Sequence, residues 1–200
     1  MLTKLAKNIA HSFSLNNAIK SEDEEVYAYG MEILLSTIAN GLAVLIISLF
    51  TNTLLSSLIF WAVFIVMRRS AGGYHAKTHA GCLAILVFVH TAFTMLIDHI
   101  SEGVIMPLSI IAIAFSAVAV ISFAPIEHPN KPIDELDRKR LRKKSVTLII
   151  IIPLLVSVLM HFKMNSAALY ISCGILVSAV AMIAEVIHIK RNEKVEKEEQ

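Results

Sequence analysis

The chain has 200 residues, of which 56% are hydrophobic and 17% charged, with a formal net charge of +2. Soluble domains lie near 45–50% apolar, and here the excess is concentrated in five runs without Asp, Glu, Lys or Arg: residues 33–67, 78–97, 103–126, 145–162 and 164–184. Runs of about 18 or more apolar residues are transmembrane candidates, so this pattern excludes a soluble enzyme and leaves room for one membrane-embedded domain spanning residues 1–200. Two cysteines, Cys82 and Cys173, make no disulfide framework. Nothing in so small a net charge points to nucleic acid as a partner.

Residues 1–20 place Leu2, Leu5, Ile9 and Phe13 at spacings of three and four, with Lys4, Lys7 and Lys20 elsewhere. Such an amphipathic helix lies in the plane of a membrane surface; the plainer alternative is a helix packed on the rest of the protein. It is not read as a cleavable signal, because no apolar core leads to a small-residue cleavage site. Ser21 is expected to cap the next helix, with Glu24 reaching back and acids at the positive helix end. That helix runs to Phe50. The uncharged run 33–67 would be about 52 Å long as one helix, against a hydrocarbon core of roughly 30 Å. It must break at Thr51-Asn52-Thr53.

Leu54 to Met67 and Cys82 to Ile97 are then two short arms, expected to be tilted or partly re-entrant. They draw residues 68–82 towards the membrane interior. A polar turn at Asp98 to Gly103 precedes a span from Val104 to Pro125. Residues 125–144 read as a basic loop that opens with three prolines in eight residues, a density no continuing helix tolerates. Val146 to Met160, kinked at Pro153, and Ala167 to Ile187 are the last spans. The tail, residues 190–200, is charged. The fold expected is therefore all-α and polytopic, with about six membrane helices behind an interfacial one.

Lysine and arginine favour the cytoplasmic side. With six crossings, 17 of the 18 fall on one side, together with both termini, residues 68–82 and the basic loop. The expected location is a cell membrane with that face cytoplasmic.

Residues 68–82 read Arg-Arg-Ser-Ala-Gly-Gly-Tyr-His-Ala-Lys-Thr-His-Ala-Gly-Cys and hold three of the chain's seven glycines. A cysteine attacks as thiolate, and a helix amino terminus or a neighbouring histidine favours that anion. Cys82 should sit in the first turn of a helix, where backbone amides could also bind an oxyanion. His75 is the preferred base and His79 a rival. On a continuous helix seven residues cover about 10 Å, so His75 reaches Cys82 only if Gly72, Gly73 and Gly81 let the chain fold back. Two further readings compete. His75, His79 and Cys82 have i, i+4, i+7 spacing for zinc, but Lys77 would repel a cation and no His-Glu-x-x-His is present; no metal or cofactor is expected. A non-enzymatic exporter of a small peptide is the other, and it lacks acidic residues inside spans.

Arg69-x-x-Gly72-Gly73-x-His75-Ala76 followed by Cys82 resembles the signature of the accessory gene regulator B (AgrB) family. The likeness extends to the chain length, the amphipathic start, the spans and Asn130-Lys131-Pro132 before a basic run. It implies a bacterial membrane cysteine endopeptidase of quorum sensing, with Cys82 and His75 catalytic. Such an enzyme removes the carboxy-terminal tail of a short precursor peptide and holds the remainder as an acyl-thioester. An internal Cys or Ser then closes a thiolactone or lactone. The resemblance further implies a precursor with an amphipathic leader on the membrane lipid and an acidic tail. Arg138, Lys139, Arg140, Arg142, Lys143 and Lys144 could attract that tail, Arg69, Gly72 and Gly73 would line the site, and a homodimer is expected. The basic cluster is equally explained by topology alone. Glu127 is a candidate third partner for His75, whereas Cys173 is expected to pack and Glu185 and His188 to lie at the interface.

Overall fold

The computed structural model describes residues 2–74, 78–97, 99–127 and 134–198, with backbone alone at His79, Glu193 and 195–198. The protein is an all-α polytopic membrane protein. Its helices are α1 (Leu2–Leu15), α2 (Glu24–Phe50), α3 (Leu54–Ala71), α4 (His79–Ile97), α5 (Glu102–Phe123), α6 (Glu135–His161) and α7 (Asn165–Glu198). Six of them, α2 to α7, are long and apolar enough to cross a membrane. A helix satisfies its own backbone hydrogen bonds, which lipid cannot do for it. Their outer faces are apolar: Ile38, Leu42, Ile46 and Leu49 on α2 and Ile150, Ile151, Leu154 and Leu155 on α6 are all exposed. So wide an exposed apolar surface belongs against lipid.

The amino terminus folds as an antiparallel pair. The Thr3 hydroxyl donates to the Glu32 carboxylate, and His11 Nδ1 lies 3.1 Å from Glu24 Oε1. Two alanines, Ala6 and Ala10, form the buried face of α1, while Leu5 and Phe13 of the bulky stripe stay exposed. Packing on the protein and an outward apolar stripe thus coexist. Ser21 does not cap α2. It begins a short 3-10 turn, Ser21–Asp23, and no side-chain cap bond is made at Asp23. Glu24 meets His11 instead of reaching back.

Helix α7 is the mast of the fold. One core cluster joins Met67 and Ala71 of α3, Ala119 and Val120 of α5, Ile149 and Ile152 of α6, and Ile171, Ile175 and Met182 of α7. A second joins Val44, Phe60, Phe64, Leu86, Ile105, Tyr170 and Cys173. Cys173 is buried there, in packing. Between α3 and α7 the approach is close because the residues are small, as membrane helix contacts require. A Cβ on Gly174 would stand 2.9 Å from the Phe60 carbonyl oxygen. One turn on, Ser178 lies beside Phe64, its hydroxyl 3.4 Å from the Phe64 carbonyl and 2.9 Å from that of Gly174.

Three boundaries differ from the sequence reading. Helix α3 does not stop at Met67: it carries Arg68 to Ala71 as its last turn and has 18 residues. At 1.5 Å per residue that is about 27 Å, so the arm is not short; α4, with 19 residues, is not short either. The charges of Arg68 and Arg69 misled the sequence estimate, because the last turn of a helix tolerates cations well. The second difference is the basic loop. Glu135 to Lys144 form the first turns of α6, capped by the Asp134 carboxylate, which accepts the Glu135 N–H at 2.8 Å. The third is the charged tail, which continues α7 as helix to Glu198. Asp98 and Asn130-Lys131-Pro132 lie outside the described residues.

Candidate active site

The segment that leaves α3 is clamped from two sides. Gly72 has φ +84° and Gly73 φ +149°, backbone that side chains resist. At Gly72 there is also no room, since a Cβ would lie 2.8 Å from the Ile126 carbonyl oxygen. The Ile126 N–H donates to the Ala71 carbonyl at 3.0 Å, stitching the end of α3 to the segment after α5. Two arginines of α6 hold that segment in turn. Arg142 donates to the Ala124 carbonyl at 3.0 Å, and Arg138 pairs with the Glu127 carboxylate.

On the other side is α7. The Tyr74 N–H donates to the Ala181 carbonyl at 2.8 Å, and the Tyr74 ring meets His188 edge-on with centroids 5.8 Å apart. A Cβ on Gly73 would be 3.6 Å from Ala181, ordinary contact. Ala181, Glu185 and His188 share one face of α7, being four and seven residues apart. Glu185 is only 2% exposed. It is not interfacial, as the sequence suggested, but faces the protein.

Cys82 is the fourth residue of α4 and is half-buried. Thr78 caps the helix. Its hydroxyl accepts the Gly81 N–H at 3.1 Å, and its carbonyl accepts the Cys82 N–H at 3.1 Å. Beside the sulfur lies Arg68, whose Nη2 is 4.0 Å from Cys82 Sγ and also donates to the Tyr74 carbonyl. The guanidinium sits over the Phe64 ring, 5.5 Å from its centroid, and within electrostatic range of Glu185. Arg68 of α3 thus meets the thiol of α4, and it is held by Tyr74 of the clamped segment, which is itself seated on α7. Gly72 and Gly73 shape the route to the thiol.

Sequence reasoning favoured Arg69 over Arg68. Arg69 is exposed, and it is Arg68 that meets the sulfur. The register of α3 explains this, given that Phe64 and Met67 are buried. Arg68 lies four residues after Phe64 and one after Met67, so it belongs to the α3 face that packs inward. Of the basic cluster, Lys139, Lys143 and Lys144 are exposed at the start of α6, and Arg140 reaches Asp137 at 3.8 Å. Arg138 and Arg142 are engaged by the protein itself. His75 lies outside the described residues, as does the His79 side chain, and with them the zinc alternative. Glu127 is engaged with Arg138. The Glu185 and His188 face of α7 was missed. Its signal was the run of small residues at Gly174, Ser178 and Ala181, which announces a close partner on the same stripe.

A multi-pass helical membrane protein with a half-buried thiol at a helix amino terminus, beside a fixed cation, is the class that fold and site define. Residues 4–186 match the family model described as Accessory gene regulator B, and the chain belongs to that family. Membership places it in the accessory gene regulator quorum-sensing system. The chain is 27% identical to Putative AgrB-like protein 2 of Clostridium perfringens over 164 residues, covering 80% of this chain and 77% of the relative. It is 28% identical to Accessory gene regulator protein B of Staphylococcus aureus (strain MW2) over 156 residues, 77% of this chain and 79% of that one. It is also 28% identical to Protein FsrB of Enterococcus faecalis over 142 residues, 71% of this chain and 58% of the relative. No solved structure matches.

Proposed function

We propose that this protein is a membrane cysteine endopeptidase that trims and cyclises a short autoinducer precursor. The observation that carries the reading is the position of Cys82: first turn of α4, half-buried, with a guanidinium 4.0 Å away. A thiol so placed is biased towards thiolate by the helix dipole and a nearby cation.

In this mechanism His75 takes the thiol proton and the Cys82 sulfur attacks the scissile carbonyl. The carbonyl π pair moves to oxygen. When the tetrahedral adduct collapses, the C–N bond breaks and the tail leaves as an amine, taking the proton from His75. The remainder stays on Cys82 as a thioester, which keeps most of the energy of acyl transfer. A thiol or hydroxyl within the peptide then gives its proton to His75, attacks the same carbonyl and breaks the C–S bond to release the Cys82 thiolate, closing a thiolactone or lactone. Ring closure outruns hydrolysis where water is scarce, and the clamp of Gly72 and Gly73 between α7 and Ile126 supports such a closed site.

The precursor's amphipathic leader would lie on the membrane lipid, and exposed Lys139, Lys143 and Lys144 would attract its acidic tail. Arg69 would add to that field. The charge asymmetry supports a cytoplasmic site with both termini on the same side. A homodimer fits this assignment.

The test is cleavage of a peptide with an amphipathic leader, an internal Cys and an acidic tail by the full chain in lipid vesicles. Cys82→Ala and His75→Ala should insert normally and abolish cleavage. A thioester trapped on Cys82 and seen by intact mass would support the acyl-enzyme. Retained cleavage in Cys82→Ala would end the proposal and return the exporter reading to the front.

A further inference from the structure

We infer that Arg68 carries the negative charge formed at Cys82, first on the sulfur and then on the oxygen of the tetrahedral adduct, with Glu185 positioning it from α7. This rests on the endopeptidase reading and deepens it by assigning the oxyanion donor.

Two backbone amides of the first turn of α4 are already engaged. The Cys82 N–H is bonded to the Thr78 carbonyl and the Gly81 N–H to the Thr78 hydroxyl, each at 3.1 Å. Among the described residues, Arg68 is the strong side-chain donor beside the sulfur. Its Nη2 carries two hydrogens: one is directed to the Tyr74 carbonyl, leaving the other for the side of Cys82. At 4.0 Å the nitrogen is too far for a tight bond to the sulfur. The gap admits a carbonyl oxygen between them, and an oxyanion donor should stand about 2.7–3.1 Å from that oxygen.

The guanidinium cannot wander. It is held by the Tyr74 carbonyl and sits over the Phe64 ring, and the buried Glu185 carboxylate acts on it electrostatically from α7. Arginine suits this duty because it stays charged when partly buried and its planar fork is preorganised. Among the described residues, the charged group that meets Cys82 is Arg68 from α3, and Glu185 from α7 acts on Arg68 electrostatically. As the thiolate becomes an oxyanion the negative charge moves from sulfur to the oxygen two bonds away, and both positions lie within reach of the same guanidinium, so the cation need not reorganise between steps.

The experiment uses the full chain in detergent with Cys173→Ser, so that only Cys82 reacts. Alkylation rates are compared for anionic iodoacetate and neutral iodoacetamide. Loss of a cation beside the sulfur slows the anionic reagent selectively, whereas a merely loosened fold changes both alike. Arg68→Gln should lower the iodoacetate-to-iodoacetamide ratio at least fivefold, Arg68→Lys should retain most of it, and Glu185→Gln should raise it. With the peptide above, Arg68→Gln should lower kcat by about 100- to 1,000-fold with little change in KM, the signature of a lost oxyanion donor. A ratio within twofold of the parent in Arg68→Gln overturns the inference; a flat or lowered ratio in Glu185→Gln removes Glu185 from it. If Cys82→Ala abolishes cleavage while Arg68→Gln cleaves within threefold of the parent, the endopeptidase stands and the oxyanion role of Arg68 falls.

Discussion

The main chains of Tyr74 and Ala181 are joined by a hydrogen bond of 2.8 Å, although the two residues belong to different halves of the chain. Through it the segment that follows α3 is laid along α7, and whatever displaces the Ala181 turn displaces the approach to Cys82. Ala181→Leu puts a bulky side chain beside Gly73, where a Cβ on Gly73 would already stand 3.6 Å from Ala181. Overpacking of this kind costs about 1–3 kcal/mol. Cleavage is expected to fall at least tenfold while α7 stays helical by circular dichroism.

Gly72 and Gly73 should not be equivalent. Gly72→Ala meets both a φ of +84° and the Ile126 carbonyl oxygen at 2.8 Å, whereas Gly73→Ala meets a φ of +149° and only ordinary contacts. Backbone strain alone is worth roughly 1–3 kcal/mol. Thermal unfolding in detergent should rank Gly72→Ala below Gly73→Ala. Gly30→Ala, which has nothing within 4 Å and lies inside α2, should be neutral or stabilising by about 0.5–1 kcal/mol.

Gly174 reports on the α3–α7 contact. Any Cβ there approaches the Phe60 carbonyl oxygen to 2.9 Å and Val63 to 3.3 Å, so the helices must part. Gly174→Val should destabilise by about 2 kcal/mol or more. It should also depress activity, because Arg68 rides on the same helix as Phe60. Equal activity at unchanged melting temperature would contradict the tight-contact account.

The basic residues of α6 should divide into two classes. Arg142→Ala removes the donor to the Ala124 carbonyl and should lower stability by about 1–3 kcal/mol, whatever the salt. Replacing exposed Lys139, Lys143 and Lys144 together by Gln should leave stability unchanged. It should raise KM for a peptide with an acidic tail, with the difference shrinking at high salt. A salt-independent KM would argue against tail recognition by these lysines.

Accessibility separates the two thiols. A membrane-impermeant maleimide should label Cys82, half-buried, and spare Cys173, which is 5% exposed within α7. Labelling in sealed vesicles from the cytoplasmic side alone would fix the orientation, and labelling only from the opposite face would reverse it.

The helical membrane class was legible in five uncharged runs, since hydropathy is a property of each residue and needs no partner. Helix breaks at Thr51-Asn52-Thr53 and near Pro125 were legible for the same reason: the groups that interrupt a helix do so locally. The glycine-rich approach to Cys82 could also be read, because a glycine pair before a helix start is itself a backbone statement. Less was legible wherever a charge had two possible duties. Arg68 and Arg69 are neighbours of identical chemistry, and composition offers no ground to prefer one.

By itself, then, the amino-acid order determined that this chain lives in a membrane, that its helices turn where they do, and that Cys82 opens one of them. Tertiary structure alone decided that Arg68 rather than Arg69 stands at the sulfur and that α7 carries the floor of the site. It also set Arg138 and Arg142 to brace the Ile126 segment. The reason is register. A helix presents a new face every 100°, so which neighbour a side chain meets depends on how small residues such as Gly174 and Ser178 let a second helix seat against it. That seating is a property of the pair, written in neither strip of sequence alone.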